Sequence, residues 1–87
     1  MTATTTVLPP AGPEVSLDVR GLAPPEPMQR VLEALARLPA QAVLVVRIHR
    51  EPVLLYQLIE PNGWNRFGRQ LAPDDWQVRL WRGARDS

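Results

Sequence analysis

The stretch Leu17-Asp18-Val19-Arg20-Gly21-Leu22-Ala23-Pro24-Pro25-Glu26-Pro27 decides the fold. Upstream of Gly21, Val15, Leu17 and Val19 alternate with Ser16, Asp18 and Arg20, the period of a half-buried strand. Gly21 ends that strand. The prolines that follow lack backbone N–H groups and hold φ near the helical value, so they suit the entry to a helix rather than its interior.

Working outward, Met28, Val31, Leu32, Leu35 and Leu38 fall at helical spacing, with Gln29, Arg30, Glu33 and Arg37 opposite. This predicts a helix from Pro27 to Leu38, with Glu33 and Arg37 as an i, i+4 pair and Pro39 as the stop. Ala42 to His49 is apolar and β-branched, a more buried strand. Pro52 to Glu60 predicts a short helix carrying Leu54, Leu55, Leu58 and Ile59 on one side, ended by Pro61-Asn62-Gly63. Trp64 to Leu71 and Asp75 to Arg82 read as two strands joined by Ala72-Pro73-Asp74-Asp75, with Pro73 suited to the second position of a type I turn. The order β-α-β-α-β-β implies an α+β two-layer sandwich: a four-stranded mixed sheet with two helices on one face. Its first two strands are parallel and its last two form an antiparallel hairpin. One domain covers residues 15–82, between a flexible N-terminal tail (1–14) and a C-terminal tail (83–87).

The composition is informative through its zeros. No cysteine is present, which removes disulfides, thiolate nucleophiles and thiolate metal ligands. All ten basic residues are arginine, so there is no Schiff-base lysine and no Walker-type phosphate lysine. One histidine, His49, cannot supply the several imidazoles that most catalytic metal sites use. A chain of 87 residues with a formal charge of +1 has a small core and no global attraction to nucleic acid or anionic lipid. No apolar run approaches the ~18 residues of a membrane span. The start lacks the basic and long apolar segments of a signal peptide, which implies a cytoplasmic protein. Ser16 and Asp18 lie two apart on one strand and nothing in the spacing places His49 between them, so no catalytic group assembles. An enzyme is not expected, nor a cofactor.

The opening L-D-x-R-G-L, followed by a proline-rich helix entry, resembles the TusA-type sulfur-relay proteins, with Pro24 standing where their x-C-P-x-P cysteine would be. The element order is also that of the TusA-like fold. A closer resemblance is to the family termed domain of unknown function 2249. It is carried by Leu17 to Glu26, by His49-Arg50-Glu51-Pro52 leading into Leu54-Leu55-Tyr56-Gln57-Leu58, and by Trp76-Gln77-Val78-Arg79. That resemblance implies a setting in anaerobic, redox or nitrogen-oxide metabolism, transfers no catalytic residue, and excludes cysteine-dependent sulfur transfer.

Two surfaces are candidates for function. Parallel first and second strands bring their carboxyl ends together, placing His49, Arg50 and Glu51 near Glu26 where both helices begin; crevices at such ends commonly bind ligands. There a small ligand or a metal is one reading, and a loop histidine with Arg50 and Glu51 capping or pairing nearby is the other. On the second surface, alternation assigns Leu44, Val46, Ile48, Val78 and Leu80 to the core and turns Arg20, Val43, Val45, Arg47, Gln77, Arg79 and Trp81 to the face without helices. Trp64 and Arg66 join that face if the third strand keeps register. Tryptophan and arginine suit a protein partner or self-association, with Val43, Val45 and Trp81 as anchors; the alternative is that the arginines stack on the tryptophans and shield them. The same face suits single-stranded RNA, a reading encouraged by likeness to the C-terminal domain of bacterial translation initiation factor three and opposed by the near-neutral charge. The leading expectation is a non-catalytic interaction module using the open sheet face, with the His49 corner as the alternative.

Overall fold

The computed structural model describes residues 12–82. Its elements are β1 (Glu14–Asp18), α1 (Glu26–Arg37), β2 (Val43–Ile48), α2 (Val53–Ile59), a 3-10 turn (Glu60–Asn62), β3 (Trp64–Ala72) and β4 (Asp75–Arg82). The strands lie in the order β1-β2-β4-β3, with β1 and β2 parallel and the other pairs antiparallel. This is the β-α-β-α-β-β mixed sheet that the sequence predicts.

β2 is an inner strand, hydrogen-bonded on both edges, and its apolar run is buried on both faces. Leu44, Val46 and Ile48 face the helices, where they join Val78 and Leu80 of β4, Val31 and Leu35 of α1, and Leu55, Tyr56 and Ile59 of α2 in one buried cluster. Each fully buried aliphatic side chain there contributes roughly 1.5–3 kcal/mol, which outweighs the weak propensity of a seven-residue helix such as α2. Gly63, at φ 89°, ends the turn after α2 in a left-handed conformation that L side chains rarely adopt.

Several expectations are corrected. Glu14, read as part of the tail, is the first residue of β1: it pairs with Val43, and Arg79 Nη1 donates to its carboxylate at 2.6 Å. The rest of the two tails lies outside the described residues, apart from Gly12 and Pro13, whose carbonyl accepts from Val43 N–H. On α1 the i, i+4 ion pair is Glu26–Arg30, 2.7 Å, rather than Glu33–Arg37. Leu32 is exposed, because the buried stripe follows Pro27, Val31 and Leu35. On α2 the buried side is Leu55, Tyr56 and Ile59, and Leu54 and Leu58 face out. The i, i+1, i+4 set led by tyrosine wins because Tyr56 reaches β3, leaving the two leucines about 100° round the helix.

Trp64 and Arg66 pair in register with Arg82 and Leu80, which puts them on the helix side of the sheet. Arg66 stacks over the Tyr56 ring at 4.0 Å and Arg82 over Trp64 at 4.5 Å. Neither Trp64 nor Arg66 belongs to the open face.

Candidate functional site

The loop leaving β1 and the loop leaving β2 both end where a helix starts, because parallel neighbours carry their carboxyl ends to the same edge. Between them lies a groove of about 520 Å³. Pro24, Pro25, Pro27 and Met28 form one wall, Leu54 and Leu55 of α2 the other, and His49, Arg50 and Glu51 run along the connecting edge. The sequence thus locates three of its four corner residues. Glu26 does not line the groove, since its carboxylate is held by Arg30.

The polar groups of the groove differ in how well they are satisfied. His49 Nδ1 is buried and has no hydrogen-bond partner among the described residues. Arg50 and Glu51 are exposed and take part in no ion pair among the described residues, with each other or with anything else. The main-chain carbonyl of Glu51 accepts from Val53 N–H at 3.0 Å, and no side chain caps the start of α2. Among the described residues, neither Arg50 nor Glu51 caps the start of a helix. Among the described residues, no group of three His, Cys, Asp or Glu side chains is placed to hold a metal ion.

Beneath this edge, the Tyr56 phenol is pushed up to about 12 by burial and by the negative charge of Glu51, with Arg66 opposing. Arg66 is itself fixed by Glu60 at 2.7 Å. Nothing in the sequence signals this link directly, because Tyr56 and Arg66 meet only through the β3 register.

The open sheet face is built differently from the expectation. Val43, Val45 and Trp81 do lie together opposite the helices, but they are only 2%, 8% and 3% exposed. An anchoring patch must be accessible, and these three are a second small core instead. Nor do the arginines stack on tryptophan there. Arg47 makes two hydrogen bonds to Asp75, and Arg20 spans Asp18 (2.8 Å) and Asp75 (3.4 Å). Arg79 is held by Glu14. The hydrogen bonds from Arg20 hold the Asp18 carboxyl down at about 2, and Arg47 lowers that of Asp75. Asp75 is the first residue of the strand the sequence predicts from Asp75 to Arg82, and strand alternation, which places it on the same face as Arg47, is the signal for this pairing.

Among the described residues, no helix is long and apolar enough to cross a membrane. No curated protein and no solved structure matches the chain. The family model for an uncharacterized conserved protein, DUF2249, matches residues 16–82, which contain the whole groove and all but the first two residues of the sheet. The chain belongs to the DUF2249 family.

Proposed function

We propose that this domain is a non-catalytic small-ligand-binding module whose working surface is the groove between the starts of α1 and α2. The observation that carries the proposal is an apolar-walled cleft with an arginine, Arg50, on its edge that makes no ion pair among the described residues. Its volume falls in the range of small-molecule sites, and apolar walls with a few convergent polar groups are the usual make-up of such sites. Pro24, at the position where the TusA resemblance would put a cysteine, lines the groove, so the site keeps a surface there without a thiol. With no cysteine, no lysine and one histidine, the chain has few candidates for a nucleophile and a base, which supports binding rather than turnover.

The test is a two-dimensional NMR titration with 1-anilinonaphthalene-8-sulfonate, a probe that joins an apolar body to an anion. Saturable shifts are expected at Met28, His49, Arg50 and Leu54, with weaker binding in His49→Ala and Arg50→Gln variants that keep the wild-type fold. Shifts confined to Arg47 and Arg79, or to Leu38, Trp64 and Arg82 at the far end of the helices, would remove this reading.

A second reading, protein contact, keeps one specific support. Val53, Leu54 and Leu58 are 51%, 67% and 51% exposed, and Leu32 adds to the apolar surface of the helical layer. Contact through that layer would replace contact through the sheet face. Light scattering of the wild type and of Leu58→Glu would show a concentration-dependent assembly lost in the variant.

A further inference from the structure

We infer that the groove recognises a free α-amino acid with a large apolar side chain, gripping its carboxylate with Arg50 and its ammonium with Glu51. This rests on the groove being the ligand site and adds the class of ligand.

The argument begins with how the other charges are used. Arg20, Arg30, Arg47, Arg66 and Arg79 are each paired to a carboxylate, and Glu14, Asp18, Glu26, Glu60 and Asp75 are their partners. Of the charged side chains left without an ion pair among the described residues, which include Arg37, Arg69, Glu33 and Asp74, Arg50 and Glu51 are the two that line the cleft. They are neighbours in sequence and opposite in charge, they line the same cleft, and neither is engaged by the other. Their α-carbons are one residue apart, about 3.8 Å. An α-amino acid carries its two charges on a single carbon, so it presents both within the reach of such adjacent side chains.

A ligand with a single charge fits less well. A simple carboxylate would meet Arg50 but lie beside the like charge of Glu51, and a simple amine would have the reverse problem. A neutral apolar molecule would cover two charges and leave both without partners, a desolvation penalty with no return. The zwitterion alone satisfies both. The walls then select the side chain: Pro27, Met28, Leu54 and Leu55 offer aliphatic surface with no hydrogen-bonding group, which suits a branched or aromatic body and rejects a polar one. The arginine can form a two-point bond to a carboxylate, which orients the ligand with its side chain toward these walls.

Isothermal titration of the full chain with L-phenylalanine, 3-phenylpropanoate and 2-phenylethylamine tests this. Phenylalanine should bind about tenfold more tightly than either single-charge analogue, a modest ratio because both protein charges are solvent-exposed. Arg50→Gln should lose that advantage while leaving phenylethylamine binding unchanged, and Glu51→Gln should lose it while leaving phenylpropanoate binding no weaker. Equal affinity for all three ligands, or equal affinity for N-acetylphenylalaninamide, overturns recognition of the zwitterion. If the sulfonate probe binds the groove and phenylalanine does not, the amino-acid assignment falls and the groove remains a ligand site. If neither binds, the site itself falls with it.

Discussion

The hydroxyl of Tyr56 rests against the backbone of Gly68, so closely that a β-carbon at position 68 would lie 2.6 Å from it. The two residues come from α2 and from an edge strand, and their contact fixes how α2 sits over the β3–β4 hairpin. Because the ring is also covered by Arg66, the hydroxyl has little room to withdraw. Gly68→Ala should therefore destabilise the fold by about 1–2 kcal/mol, an overpacking cost, despite the better strand propensity of alanine. Urea unfolding measures it. Tyr56→Phe in the same chain should recover part of the loss, and a double-mutant cycle with strictly additive terms would disprove the contact.

Tyr56 also sets the alkaline limit. Burial chiefly raises its folded pKa to about 12, from the ordinary tyrosine value of 10.0. Below the unfolded value both states keep the proton and this group's stabilising share is fully present. As pH rises from about 10 toward 12, the unfolded chain loses its phenolic proton while the folded chain does not, and stability falls. Midpoint denaturant concentrations recorded across that range should decline in the wild type and stay flatter in Tyr56→Phe.

On the acid side the open-face carboxylates govern the response. Asp18 lies at about 2 and Asp75 is also lowered, both held ionised by arginine. The stability they contribute is present above their unfolded value of 3.8 and is lost as pH falls toward the folded values. Asp75→Asn should lower stability at neutral pH and reduce the slope of stability against pH below about 4. Unchanged slope in a circular-dichroism acid titration of the variant would show that the Arg20–Asp75–Arg47 bridge is without effect.

Trp81→Ala distinguishes a second core from a docking patch. With Trp81 only 3% exposed beside Val43 and Val45, truncation should cost about 3–5 kcal/mol and lower the thermal midpoint accordingly. Near-neutral stability after the substitution would mean the indole is a surface group after all.

Much of the architecture was legible because strand and helix periods differ. Alternation in Val43 to Ile48 and in Trp76 to Trp81 sorted the two sheet faces correctly, and the proline-rich entry located the start of α1. The errors have a common cause. Leu32, Leu54 and Leu58 are as apolar as the residues that are buried, and hydrophobicity alone does not say which stripe faces the sheet; on α2 that depended on Tyr56 reaching Gly68 across the fold. The corner formed by His49, Arg50 and Glu51 followed from strand direction, whereas its proline and leucine walls required the helix placement. The salt-bridge network was legible only in part: alternation puts Asp75 on the face of Arg47, but Asp75 meets Arg20 and Arg47 only after the strands are in register.

The prolines around the groove carry a further consequence. Pro24, Pro25, Pro27 and Pro52 all border it, and each ring removes a backbone rotation. A rim with so few internal degrees of freedom is set in advance, so association with the proposed ligand would surrender little backbone entropy and require no closing motion. Encounter should then proceed without a conformational gate, and ligands of differing fit should separate by how long they stay rather than by how quickly they arrive. Specificity in such a site changes by exchanging the side chains on a stiff frame, one contact at a time.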